Sequence, residues 1–323
     1  IVSLVVLNIY SLGWLIYPAY RVTEPANYQA RASANEPAPL NLTFLDSFKL
    51  LSSQVYTQDR LLTEEGNRTW ATFGDVVIIK VLWQMLAPLD KNYSVAAALL
   101  APDGSVLAQR ETYPSLGLRP TRNLHPGDTF WDAYPLKLEQ EVSEPMVARA
   151  VVNLFDFDSA TRAGFPALEA GGNQVTPIVG QIKITPKTWP QYQPSHPSRV
   201  NFANAIALIG YDFIPSGDGG EQSALTLYWE SLAPVSEDYV VFIHLLDANG
   251  QVTAQADGPP TGNAYPTRWW AAGEFIADTH LLPSTAKTTA LRLGLYDLAS
   301  GQRLTIGESS LPALDNSVEI VLP

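Results

Sequence analysis

No cysteine occurs among the 323 residues, which removes disulfides and thiolate metal sites from consideration. Charge is also scarce. Asp, Glu, Lys and Arg make up 16% of the chain, against about 25% in an average soluble protein. The shortfall falls on cations: 20 Lys and Arg face 32 Asp and Glu, a formal net charge of −12. Nucleic-acid binding needs clustered cations to neutralise phosphates, so this balance argues against that class. It also disfavours electrostatic attachment to anionic lipid. The four histidines, His125, His196, His244 and His280, lack metal-ligand spacing. Gly-x-Ser-x-Gly, His-Glu-x-x-His and a phosphate-cradling glycine loop are all missing, so nucleophilic, zinc and nucleotide chemistry have no support. No cofactor and no metal are expected.

What the chain does contain is a copy of itself. Moving the segment from Trp83 to Asp132 forward by 146 positions (229 − 83) places it without a gap on Trp229 to Asp278, with 18 of 50 pairs identical. Trp83 meets Trp229, Leu86-Ala87-Pro88 meets Leu232-Ala233-Pro234, Tyr93 meets Tyr239, and Pro120-Thr121-Arg122 meets Pro266-Thr267-Arg268. Solenoid repeats run to roughly 20–50 residues, so a period this long means duplicated domains.

The pattern within each copy is that of strands. The run from Val76 to Met85 (VVIIKVLWQM) is rich in β-branched residues and long enough for a buried strand. The turn Pro102-Asp103-Gly104-Ser105 predicts a hairpin, and Ala248-Asn249-Gly250-Gln251 repeats it with Asn-Gly. A strand around Met146 to Phe155 matches Ala290 to Tyr296. The stretch from Asn41 to Gln54 carries Leu42, Phe44, Phe48, Leu50 and Leu51, and Phe44 to Leu51 resembles Phe202 to Ile209. That match implies extra residues in the first copy, placed at Thr57 to Thr72. Twenty-five prolines and 21 glycines are spread along the chain, as expected of turn-rich β structure. The fold class read from these signals is all-β: two tandem β-sandwiches, immunoglobulin-like or jelly-roll, over residues 41–187 and 200–323. Residues 22–40 and the proline-rich 188–199 read as linkers.

Residues 1–21 stand apart. Ile1 to Tyr17 is uncharged, with Ser3, Asn8 and Ser11 as its conventional polar side chains, and Trp14, Tyr17, Tyr20 and Arg21 form an aromatic-then-basic edge. As a helix this run would reach roughly 25 Å against a hydrocarbon core of ~30 Å. The edge fits a membrane interface, and a basic start and small-residue cleavage site of a signal peptide are missing. The expectation is one transmembrane helix contacting lipid through residues 1–21, with both β domains on the extracytoplasmic side of a cell membrane.

The second copy contains FANAIALIGYDF, LTLYWESLAPVSEDYVVFIHLLDANGQVTAQADGPP, YPTRWWAAGEFIADTHLLP and LRLGLYDLASGQRL. These strings resemble the extracytoplasmic C-terminal β-sandwich region of bacterial polytopic membrane glycosyltransferase-like proteins, similar to dolichyl-phosphate-mannose mannosyltransferases. The likeness covers residues 200–323 well and 41–187 more weakly. It implies that transferase chemistry belongs to an upstream membrane region with an acidic loop, and no catalytic residue transfers onto this chain. The function expected is a membrane-anchored, non-catalytic recognition or interaction module. The alternative is a structural accessory subunit docking on a larger membrane protein complex.

Three residue groups compete for a role. The pairs Asp128/Asp132 and Glu274/Asp278 occupy equivalent positions, and glycoside hydrolysis needs two carboxylates roughly 5–10 Å apart. Their retention after Gly127 and Gly273 points instead to backbone capping or to ion pairs with Arg122 or Arg268. Asp156, Asp158 and the run Ser216 to Glu221 offer oxygen ligands without the full spacing of a calcium loop. Arg268, Trp269 and Trp270 are the candidate binding residues, because the first copy has Asn123-Leu124 where the second has the tryptophan pair. A Trp pair kept in one copy could stack on a glycan or anchor a protein partner. The competing reading puts one Trp over the core and the other on the seam between the copies. His244, in VFIHLLD, reads as a packed or hydrogen-bonded core histidine.

Overall fold

A computed structural model describes residues 38–57, 70–215, 222–283 and 288–322. The apolar segment 1–21 lies outside the described residues, as do residues 58–69. Among the described residues no helix is long and apolar enough to cross a membrane.

The described chain is built of strands: β1 (Ala38–Phe44), β2 (Phe48–Thr57), β3 (Trp70–Ala71), β4 (Val76–Met85), β5 (Ser94–Leu100), β6 (Val106–Thr112), β7 (Thr129–Lys137), β8 (Met146–Phe155), β9 (Ala167–Leu168), β10 (Gln174–Val175) and β11 (Ile178–Ile184). They continue with β12 (His196–Phe202), β13 (Ile206–Ile214), β14 (Ser223–Ser231), β15 (Tyr239–Leu246), β16 (Val252–Gln255), β17 (Phe275–Leu282), β18 (Ala290–Asp297), β19 (Ile306–Ser309), β20 (Ala313–Leu314) and β21 (Ser317–Val321). The first eleven form two sheets, ordered β10-β9-β1-β2-β4-β7 and β3-β11-β8-β5-β6. The last ten form two more, β17-β14-β13-β12-β19 and β16-β15-β18-β21-β20. Among the described residues no strand pairing crosses between these two groups, the first and second units. Pairing opens at Ala38 and at His196, inside both stretches read as linkers from sequence.

The duplication holds down to single irregularities. The β1–β2 ladder slips between Pro39 and Leu42, and the β12–β13 ladder slips between Pro197 and Val200, 158 positions on. A second bulge falls between Leu50 and Ser52 in one unit and between Leu208 and Gly210 in the other. The hairpins β5–β6 and β15–β16 each shift register at the same Leu-Leu step. A bulge bends its strand and re-aims the residues beyond it, so shared bulges give both sheets the same curvature.

Each unit closes two sheets on one core. In the first, Phe44, Leu50 and Trp83 from one sheet pack with Val95, Leu99 and Val152 from the other. In the second, Phe202, Leu208 and Trp229 pack with Val241, Ile243 and Leu291. Trp83 and Trp229 are both fully buried, and each takes an edge-on aromatic contact at 5.9 Å, from Phe44 and Phe202. Burying each such side chain stabilises its unit by about 1.5–3 kcal/mol or more. Between β2 and β4 the first unit gains β3, which pairs parallel to β11 and has no counterpart among the described strands of the second.

Candidate functional site

The carboxylates that sequence alone offered as a catalytic pair are engaged in holding loops. Asp132, on β7, accepts the Ser115 backbone N–H through Oδ2 at 2.7 Å and the Tyr134 hydroxyl at 2.7 Å. Tyr134 in turn accepts Trp83 Nε1–H at 3.2 Å. In the second unit Asp278 accepts the Thr261 N–H at 2.8 Å, takes Trp229 Nε1–H directly at 3.2 Å, and faces His280 Nε2 at 2.8 Å. Both acids thereby clamp a left-handed loop. Ser115, Leu116 and Gly117 have φ of 57°, 53° and 94°, and Thr261, Gly262 and Asn263 have 56°, 58° and 70°. Such conformations cost of order 1–3 kcal/mol for a residue other than glycine, and a buried carboxylate on the loop's first N–H helps to hold them. Burial raises the Asp132 carboxyl above its ordinary range, with the bonds from Ser115 and Tyr134 opposing the shift. Burial, then the neighbouring Asp132, pushes the Tyr134 hydroxyl far upward.

The other member of each pair caps the turn before β7 or β17. Asp128 accepts the His125 N–H at 2.8 Å, and Glu274 accepts the Ala271 N–H at 3.0 Å. Capping was the sequence expectation. The expected partnership with arginine differs, because Arg268 pairs with Asp238 at 2.8 Å and the Arg122 backbone N–H donates to Asn92 at 3.1 Å. Glu274 instead takes Lys183 from the first unit, in an ion pair whose two side chains are 10% and 7% exposed. Lys183 also donates to the Trp269 carbonyl at 3.1 Å. Tyr265 OH donates to Glu274 Oε2 at 2.6 Å and lies 2.9 Å from the Trp269 carbonyl. The Val147 N–H of β8 donates to the Ala264 carbonyl at 2.9 Å, and Val147 packs within the second unit's core.

This seam accounts for the tryptophan pair. Trp270 is 1% exposed, its ring packs with Tyr265, and its Nε1–H donates to the Tyr265 carbonyl at 3.0 Å. No face of that ring is open to a ligand. Trp269 is half-buried and packs against the second core, with its carbonyl held by Lys183. Arg268 is exposed on its own pair with Asp238. Thr121 and Thr267, from the Pro-Thr-Arg retained in both copies, accept the Tyr93 and Tyr239 N–H groups at 2.8 Å each. Where the second unit has Tyr265, Trp269 and Glu274, the first has Arg119, Asn123 and Asp128, so the two copies differ where one of them meets its neighbour.

Beside the seam lies a cleft of about 350 Å³, lined by Pro102, Asp103 and Ser105 of the β5–β6 turn, Glu144 to Met146, Thr261, Ala264, Ile276 and Ala277. Glu144 accepts the Tyr192 hydroxyl at 2.6 Å. Tyr192 packs on Tyr228 at 5.1 Å, and Asp212 accepts from Ser195 and Tyr228. The segment joining the units is thus laid on the outer face of the second unit's first sheet.

The histidines stay apart. His125 is exposed beside Asp128, His196 stacks on Tyr211, and His280 is buried on Asp278. His244 is half-buried near Phe242 and Gln255, on the outer face of its sheet rather than in the core, and burial lowers its pKa. Asp156 pairs with Lys91, Ser216 to Glu221 lie outside the described residues, and no group of three or more metal-ligating side chains occurs among the described residues.

No family model matches the chain and no curated protein does. Among solved structures, it is similar to a calcium-binding mutant of beta-glucuronidase 2 from Bacteroides uniformis, at 11% identity over 82% of this chain and 32% of that one, with a TM-score of 0.23. It is also similar to the beta-glucuronidase of Ruminococcus gnavus in complex with a C6-substituted uronic isofagomine, at 10% identity over 93% and 42%, with a TM-score of 0.17. The chain spans about a third to two-fifths of the length of these enzymes, and at such TM-scores the likeness carries no argument.

Proposed function

We propose that this chain is the membrane-anchored, extracytoplasmic, non-catalytic interaction module of a larger glycosyltransferase-like membrane protein. One observation carries the reading. Asp132 and Asp278, the buried members of the candidate acid pairs, each accept a loop N–H and further donors, and Glu274 is tied to Lys183 and Tyr265. An acid or base in glycoside chemistry must face substrate and exchange protons with it, whereas these carboxylates face their own backbone. The resemblance of residues 200–323 to the C-terminal region of such membrane proteins supplies the setting, and the apolar run 1–21 supplies the anchor.

A second reading, an accessory subunit docking on a membrane protein complex, draws on the placement of Trp270 in the core and Trp269 against it. Aromatic rings spent on a seam within the chain are withdrawn from sugar stacking. The two readings separate in one experiment: extraction of the native chain in mild detergent and identification of what accompanies it. Recovery as the C-terminal part of a polypeptide with many spans and an acidic early loop supports the module. Recovery as a separate chain bound to a membrane complex supports the subunit. Recovery from the aqueous fraction without detergent overturns both.

A further inference from the structure

We infer that the loop from Ser115 to Arg122 docks the first unit onto a bilayer surface bearing anionic headgroups. This rests on the reading that residues 1–21 anchor the chain. Leu118 is 82% exposed, more than any other large apolar residue described. It stands directly after the left-handed run Ser115-Leu116-Gly117, which the buried Asp132 pins through the Ser115 N–H, so the apolar tip is held in position rather than left to fluctuate. Arg119 lies beside it with its guanidinium 4.2 Å above the Phe130 ring, and Arg122 is exposed one turn on. From Thr112 to Gly127 the chain carries Arg119, Arg122 and His125 and no carboxylate. In a chain of net charge −12 that is a local reversal of sign. The acids beside the loop are Glu111, exposed just before Thr112, Asp128, which caps the His125 N–H, and Asp132, buried beneath the loop within electrostatic reach of Arg119. The distant acids are muted, because exposed charges beyond about 8 Å are largely screened at physiological salt.

The duplication says why this end should meet something. The position of Leu118 in the second unit is Ala264 (118 + 146), whose carbonyl accepts Val147 N–H at the seam. The same end is therefore a contact surface in the second unit, covered by the first. On the first unit it faces outward with leucine and arginine instead of alanine and tyrosine. Residues 22–37, sixteen of them, have a fully extended reach of roughly 55 Å, enough for an anchored chain to bring this end to the lipid. A leucine followed by two arginines suits that surface: the apolar tip enters the headgroup boundary while the guanidinium groups remain at phosphate level.

The absence of cysteine gives a clean test. Leu118→Cys in the full chain accepts one environment-sensitive dye, as does Leu281→Cys, which is 61% exposed at the far end of β17. Each is placed in nanodiscs of phosphatidylcholine with or without phosphatidylglycerol, with nitroxide-labelled lipid as quencher. Quenching at position 118 in the anionic discs alone, falling as salt rises and absent at position 281, supports the proposal. Adding Arg119→Gln and Arg122→Gln is expected to lower the docked-to-free ratio roughly 30-fold. If the chain stays on the discs while the dye at 118 remains unquenched, docking is wrong and the anchor stands. If the chain leaves the discs, both fail. A dye at 118 shielded without lipid, in proportion to protein concentration, makes the loop a protein contact and overturns docking.

Discussion

Tyr134 and His280 occupy the same position in the two units, and each ends on the same carboxylate. Tyr134 OH donates to Asp132 Oδ2 at 2.7 Å, and His280 Nε2 lies 2.8 Å from Asp278 Oδ2. In the first unit the core tryptophan reaches the acid through the tyrosine; in the second it reaches the acid directly, at 3.2 Å. One buried carboxylate therefore joins the core tryptophan to the strained loop in both. Asp278→Ala leaves the Thr261 and Trp229 donors unmet at a fully buried site. The expected loss is about 3–5 kcal/mol of unfolding free energy, read by urea denaturation of the second unit. A loss under about 1 kcal/mol, ordinary for a surface change, would mean the loop holds itself.

Two aspartates in separate networks should respond to pH in opposite senses. Burial raises Asp132, so the native state holds its proton above the ordinary value near 3.9. Its stabilising contribution is full below that value and declines as pH rises through the raised native one. Asp212 is partly desolvated, yet bonds from Ser195 and Tyr228 leave its carboxyl below the ordinary range. Its contribution is full above about 3.9 and is lost as pH falls. Asp132→Asn should flatten the decline of stability on the rising side, and Asp212→Asn the loss on the acidic side. Profiles parallel to the parent chain would contradict both assignments.

The two tryptophans should behave as unlike residues. Trp270→Ala empties a core site and should cost about 3–5 kcal/mol. Trp269→Ala, half-buried, should cost less and loosen the seam. If glycan-array binding exists and vanishes with Trp269→Ala while thermal unfolding is unmoved, a sugar platform at the seam returns to favour.

Much of this fold could be read before any coordinates, because duplication makes each copy a check on the other. Trp83 and Trp229 fell on equivalent strands, and the hairpins at Gly104 and Gly250 carried their own turn residues. The turn between β1 and β2 was not legible: Asn41 to Gln54 shows strand-like residues and no placed turn, yet the chain reverses at Leu45-Asp46, with φ of 53° and 54°. Ala203-Asn204 does the same at 53° and 56°. Such turns ordinarily announce themselves with Asn-Gly or Asp-Gly, and leucine and alanine give no such signal. The candidate site was half legible. Capping by Asp128 and Glu274 follows from a carboxylate after a turn, but pairing of Glu274 with Lys183, 91 residues away, depends on how the units meet, which no local pattern encodes. The Asn123-Leu124 to Trp269-Trp270 difference marked the right place and left its meaning open.

Lys183 and Glu274 are that meeting point, each inside its own unit's end and neither much exposed. Removing one partner of a buried pair strands the other, at a cost of about 3–5 kcal/mol. Lys183→Met should therefore loosen the seam, seen as a broader interdomain distance distribution by fluorescence transfer, while Lys183→Met with Glu274→Leu recovers part of the loss by removing both charges. If the single substitution leaves the distribution unchanged, Val147 and the Tyr265 hydroxyl suffice to hold the units together.

The segment joining the units offers a test that leaves both cores alone. A Cβ on Gly210 would lie 2.5 Å from Pro194 Cβ and 2.9 Å from the His196 carbonyl oxygen, closer than atoms can pack. Gly210 sits at the β13 bulge with φ of 155°, a conformation that residues with a side chain rarely adopt, so a substitution strains the backbone as well as meeting the overlying proline. Gly210→Ala should lift Pro194 and Ser195, breaking the Ser195 bonds to Asp212 at 2.5–2.6 Å. The expected readout is faster amide exchange at Ser195 and faster cleavage within residues 188–195, with the β13–β14 amides still protected. Unchanged exchange at Ser195 would show that the proline moves aside without releasing the segment.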